Sequence, residues 1–239
     1  MKRVLMTLAF LALVLPPAVR AADAPANSAP PLRHMVFAIS VGIRSVSTTQ
    51  GSGIGMDTGT NASGSGQQGS GTITANVIAP TSDGGLILEI GEEAQDRKAP
   101  MTRVAVRSSG EVLAPANANV TEEERILLRY LARGIIANPA KGASWDYDLD
   151  AGGGKIHTSF RVVDARDNGT IDVDVDENTT GQGGRSSSTS HGRVVYDTKK
   201  VVPDKVDIST RQRQEGVGGL ITTTITFTAD LRDDSFAAK

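Results

Sequence analysis

The chain has 239 residues, with 25 Lys and Arg against 27 Asp and Glu, a net charge of −2, and an aromatic content of only 4%. This balance gives no steering toward nucleic acid, and the scarcity of rings leaves few platforms on which bases or sugars stack. Cysteine is absent, which excludes disulfides, thiolate nucleophiles, thiolate metal sites and the acylated cysteine that anchors an exported bacterial lipoprotein.

At the N-terminus, Lys2 and Arg3 precede an uncharged run from Val4 to Leu15 in which Thr7 is the one hydroxyl. The run is shorter than the ~20 apolar residues that span a bilayer. Pro16 and Pro17 end it, and Val19-Arg20-Ala21 places small residues where a signal peptidase reads. Residues 1–21 are therefore expected to be a signal peptide, leaving a periplasmic or secreted chain that is not integral to the membrane. Loss of Lys2, Arg3 and Arg20 makes the mature chain more acidic. Residues 22–32, with Pro25, Pro30 and Pro31, have too little apolar content to order themselves and are expected to be a disordered linker. Residues 33–239 are long enough for a single β-rich domain with an ordinary core.

The first predicted strand is Met35–Ile43. Residues 45–71 then turn to Gly, Ser, Thr and Gln, with Ile54 and Met56 as almost the only large apolar side chains. Such composition predicts a flexible loop or a long, weakly specified hairpin. Inside it, Gly64-Ser65-Gly66-Gln67-Gln68-Gly69 matches a dinucleotide-binding fingerprint by letter. That motif works only between a strand and a helix N-terminus, and here the strand-like Thr72–Val77 follows, so no cofactor is expected. Further strands are predicted at Thr72–Ile78, Leu86–Ile90 and Val104–Val106, punctuated by Gly84-Gly85 and Ser108-Ser109-Gly110.

At Thr121 the period changes. Thr121 with Glu124 is a capping box, Glu122 to Glu124 put negative charge in a first turn, and Gly134 is a stop, so one helix is predicted over about 122–133. It joins strand-rich halves of about 33–115 and 144–231. Leu127, Tyr130 and Leu131, with Ile126 beside them, form its apolar stripe, whereas Arg125, Arg129 and Arg133 line another at i, i+4 spacing. The arginine row is expected to be a solvated face rather than an anion site.

Strands are then predicted at Ser144–Leu149, Lys155–Val163, Thr170–Asp176, Arg193–Asp197, Lys205–Thr210 and Leu220–Leu231. In the last, Ile221, Ile225, Phe227, Ala229 and Leu231 alternate with Thr222, Thr224, Thr226, Thr228 and Asp230, the pattern of a half-buried strand. Asp167-Asn168-Gly169 supplies a hairpin turn, making its flanking strands antiparallel neighbours. With no helices between strands, parallel α/β architecture is excluded. The fold class that results is mainly β: a curved antiparallel meander, half-barrel-like, with one packed helix.

Two acidic rows, Asp146/Asp148/Asp150 and Asp172/Asp174/Asp176, each project from one face of a strand. As a calcium loop the first row lacks the turn glycine (Ala151) and has His157 where the bidentate Glu belongs, so no metal is expected. Cross-strand pairing with Lys155, His157 and Arg161 on an exposed face accounts for the carboxylates. There is no Gly-x-Ser-x-Gly elbow, and His34, His157 and His191 have no spacing for a shared metal. A catalytic site would have to assemble in space.

Ala143-Ser144-Trp145, Gly192-Arg193-Val194-Val195-Tyr196-Asp197, Val202-Pro203-Asp204-Lys205-Val206 and the Thr-rich last strand resemble uncharacterised exported β-sheet proteins of bacteria. In outline, residues 121–231 are also similar to the half-barrel carriers and sensors of the bacterial envelope. That resemblance implies a concave apolar face, lidded by helix, that holds acyl chains. From the residues themselves, closure of the face by protein is the expectation, and a groove lined by Leu127, Tyr130, Leu131 and Phe227 is the alternative. The expected function is a non-catalytic binding or interaction protein of the cell envelope, its partner an apolar small molecule or an envelope protein. The alternatives are a hydrolase with a spatially assembled site, or a purely structural module.

Overall fold

The structure, a computed structural model, describes residues 30–49, 61–94, 97–115, 118–132, 139–151, 154–181, 186–216 and 219–236. The expected signal peptide, most of the linker, and Arg133 and Gly134 at the helix end lie outside them.

The strands in chain order are β1 (Arg33–Thr49), β2 (Asn61–Pro80), β3 (Leu86–Ala94), β4 (Arg97–Lys98), β5 (Thr102–Val106) and β6 (Val112–Leu113). The helix α1 (Glu122–Ala132) follows, and then β7 (Ser144–Ala151), β8 (Gly154–Ala165), β9 (Thr170–Thr180), β10 (Ser186–Asp197), β11 (Val202–Gly216) and β12 (Gly219–Asp234). All belong to one antiparallel, unclosed sheet with the order β6-β5-β3-β2-β1-β12-β11-β10-β9-β8-β7, and β4 pairs with β3. The first strand lies beside the last, so the two strand-rich halves merge into a single curved sheet through β1 and β12. Edge strands β6 and β7 are consecutive around α1, and the helix packs against β3, β5, β6 and β11 on the inner face.

Alternation decides the faces. Phe227 and Ala229 of β12 are buried and Thr226 is exposed, as the sequence pattern requires. Met35, Phe37, Ile73, Leu88, Val104, Val173, Val194 and Val206 meet under the helix side chains Leu127, Leu128 and Leu131 in a continuous core. The β8–β9 hairpin closes through the expected turn. Asn168 Oδ1 accepts the Thr170 N–H at 2.9 Å, and Gly169 has φ 89°, a conformation a side chain would oppose.

Three expectations change. Within 45–71, β1 continues to Thr49 and β2 starts at Asn61, in ladder register from Arg33↔Val77 to Thr49↔Asn61. The hairpin alternative holds there and the loop does not, while residues 50–60 are outside the described set. β10 and β11 likewise run beyond their predicted ends, through Ser186–Gly192 and Arg211–Gly216. In these stretches both faces are polar, so no hydrophobic alternation marks them; paired backbones satisfy one another's N–H and C=O groups instead. The two-residue strands β4 and β6 carry no periodicity to read.

The arginine row is not simply solvated. Arg129 Nη1 lies 2.9 Å from Glu177 Oε1 of β9, because the helix crosses a sheet whose far side carries an inward carboxylate.

Candidate functional site

The helix is fastened at both ends by inward-facing acids. At its N-terminus, Thr121 Oγ1 accepts the Glu124 N–H at 3.1 Å and Glu124 Oε2 accepts the Thr121 N–H at 2.9 Å. Thr121 Oγ1 also donates to Glu92 Oε2 of β3 at 2.7 Å, and Arg97 Nη2 of β4 reaches Glu92 Oε1 at 2.6 Å. The Glu124 side chain is buried, and its Oε1 has no hydrogen-bond partner among the described residues. Burial, reinforced by the neighbouring Glu92 carboxylate, holds the Glu124 carboxyl above its ordinary range, against the Thr121 N–H and Arg97. Toward the other end, Glu177 accepts from Arg129 and, through Oε2, from the Thr158 hydroxyl at 2.9 Å. Burial also pushes Glu122 upward, with Arg129 and Arg125 opposing. Sequence reading missed Glu92 and Glu177 as anchors. The signal was parity: Glu92 stands in phase with Leu88 and Ile90, and Glu177 with Val173 and Val175, on the faces that turn inward.

Leu127, Tyr130, Leu131 and Phe227, the residues that would line a groove, all belong to the filled core, with relative exposures of 0%, 3%, 4% and 1%. Protein side chains fill that part of the concave face. The cover is partial, however. Along β1, burial fades from Phe37 at 0% through Ile39 at 5% to Ile43 at 38%, and Ile221 of β12 is 45% exposed. Eleven helical residues reach ~16 Å, whereas the seventeen of β1 extend ~58 Å. Past the helix the inner face becomes a row of Ile43, Ile225, Thr210 and Ser190 on adjacent strands. A further row of Ser45, Thr223, Gln212 and Ser188 follows, with Ser45 and Thr223 hydroxyls 3.1 Å apart.

The outer face behind the core is a lattice of paired charges. Asp174 accepts two bonds from Arg193, at 3.0 and 2.9 Å, and Asp176 contacts His191 Nδ1 at 2.7 Å. Asp172 keeps the register of its row but is 9% exposed, with Arg166 Nη2 donating to both of its carboxylate oxygens at 2.9 and 2.8 Å. On the β7–β8 hairpin, Asp148 Oδ1 lies 2.8 Å from His157 Nδ1, and His157 Nε2 lies 3.2 Å from Ser159 Oγ. The hydrogen bond that the Asp148 carboxylate accepts from His157 raises the His157 pKa. This is the order of groups in a Ser-His-Asp triad, yet it stands on an exposed sheet surface. Ser159 is flanked in register by Asp146 and Asp176, whose negative field opposes the oxyanion that acyl transfer must stabilise. His34 bonds Asn76 across β1 and β2 at 2.7 Å. The three histidines are thus apart, and among the described residues no three His, Asp or Glu converge on a metal position.

No family model matches the chain, and no curated protein matches it either. A solved structure described as "Lipid-protein interactions in lipovitellin" aligns with 89% of this chain at 12% identity and a TM-score of 0.46. The aligned part is 27% of that structure's length.

Proposed function

We propose that this chain is an exported, non-catalytic binding protein of the bacterial envelope, in which the helix-filled half of the sheet is scaffold and the half beyond the helix is the working surface. The observation that supports it most is the fall of burial along β1, from Phe37 at 0% to Ile43 at 38%. Five long strands, β1, β2, β10, β11 and β12, continue past the core, held mainly by backbone pairing. A fold with no use for such an extension would gain little by it, since polar strand ends bury almost no apolar area. Export rests on the basic, apolar and small-residue order of residues 2–21.

The test uses protein recovered from the exported fraction. Its intact mass is expected to begin at Ala22, and ester, phosphoester and glycoside substrates are expected to show no turnover above background. Hydrolysis that disappears in Ser159→Ala or His157→Ala would replace this reading with the hydrolase one, built on Asp148, His157 and Ser159.

A further inference from the structure

On the outer face, the strand extension brings arginines of neighbouring strands together. Thr224 of β12 is the register partner of both Arg44 of β1 and Arg211 of β11, so the two guanidinium groups flank one threonine. Arg213 follows two residues along β11, opposite Thr222. None of the three makes an ion pair among the described residues, whereas Arg33, Arg97, Arg103, Arg107, Arg129, Arg166 and Arg193 all do. The nearest carboxylates along β11 are Asp207 and Glu215, and neither pairs with an arginine of this patch. Beside the patch runs an open groove of about 750 Å³, lined by Arg44, Gln68, Thr224 and Thr226 over Gly64 and Gly66. Among the described residues no acidic side chain lines it.

We propose that this groove and the arginines beside it bind a linear anionic polysaccharide, its carboxylate or sulfate groups held by Arg44 at the groove and by Arg211 and Arg213 next to it, and its hydroxyls by the threonines and Gln68. Three cations gathered on a chain of net charge −2 repel one another until an anion lies between them, and guanidinium forks grip planar or tetrahedral oxyanions in two-point fashion. Threonine hydroxyls and a glutamine amide offer both donors and acceptors, as sugar hydroxyls require. The missing side chains at Gly64 and Gly66 let a chain approach the backbone. A membrane surface is the poorer fit, since among the described residues Val46 and Leu220 are the large apolar side chains on this face of the extension, and insertion needs more. Nucleic acid would want aromatic side chains, and this face has none.

The inference rests on the binding reading above and gives it a ligand class, so the experiment separates the two. Mature protein is titrated with a heparin oligosaccharide, with neutral dextran of equal length, and with phosphatidylglycerol vesicles, at low and high salt. Saturable heparin binding is expected, weakened at high salt, with none to dextran. The triple variant Arg44→Gln, Arg211→Gln, Arg213→Gln is expected to lose at least tenfold in affinity with its unfolding midpoint unchanged. Gly66→Tyr is a second probe: a Cβ there meets only the Ile43 carbonyl, at 3.7 Å, so the ring fills the groove without disturbing the ladder, and binding should fall again. Heparin binding that ignores both variants overturns this assignment while leaving a binding role intact. Vesicle binding without heparin binding also overturns it, in favour of a lipid surface. Failure to bind any of the three ligands overturns the assignment and, with it, this use of the extension.

Discussion

At the scale of single residues, the capping hydroxyl of Thr121 does more than end a helix. A solvent-facing cap contributes ~1 kcal/mol, but this hydroxyl also donates to Glu92, a carboxylate only 3% exposed. Thr121→Ala is therefore expected to cost about 2 kcal/mol in urea unfolding, with Thr121→Ser recovering most of it. Its partner Glu124 predicts a pH dependence. Burial raises its carboxyl pKa in the fold, so the folded state favours the protonated form. The penalty for keeping it ionised is fully present above the raised pKa and vanishes as pH falls through it toward the ordinary carboxylate range. Glu124→Gln removes the ionisation. Its unfolding midpoint should exceed the parent's at pH 8, and the difference should shrink as pH approaches 4; a difference that grew on acidification would mean that Glu124 is stabilised as the anion.

At the scale of elements, α1 is held by ion pairs that decide where it lies, because an apolar stripe alone can slide over an apolar sheet. Arg129 to Glu177 is the long-range one, linking the helix to β9. The Glu177 side chain is 4% exposed and that of Arg129 27%, so removing the cation leaves a carboxylate in poor surroundings, a change that costs 3–5 kcal/mol in fully buried pairs. Allowing for the partial exposure of Arg129, Arg129→Ala is expected to destabilise by ~2 kcal/mol, and adding Glu177→Gln should recover part of the loss. A double-mutant cycle measures the coupling directly. The strands obey a different rule. Where a helix covers them, as at Phe37 or Phe227, inward positions are apolar; where none does, as in β2 from Gly64 to Ser70, every described side chain is exposed.

At the scale of the whole molecule, the decisive fact is that the sheet is longer than its lid. The covered half is full: Leu127, Tyr130, Leu131 and Phe227 are buried in one continuous core, and an acyl chain would have to displace them. Titration with a fluorescent fatty-acyl probe is accordingly expected to show no saturable binding. Saturable binding that Phe227→Trp abolishes would establish instead that α1 swings away and that the covered half is a carrier cavity.

The sequence by itself determined the class of structure and its local punctuation. Period-2 alternation in 220–231, the Thr121/Glu124 box and the Asp167-Asn168-Gly169 turn are short-range signals, complete within a few residues, and each is found where it was read. The acidic rows were legible for the same reason, although the cover that Arg166 places over Asp172 was not. What only the tertiary structure decided depends on residues far apart in the chain. The pairing of β1 with β12 and the meeting of Thr121 with Glu92 and of Arg129 with Glu177 leave no mark in local periodicity. Nor do the gathering of Arg44, Arg211 and Arg213 beside Thr224 and Thr222 and the ordering of 61–70 as a strand. A polar strand is made by its neighbours, since its free energy lies in backbone bonds that exist only once both partners are in place.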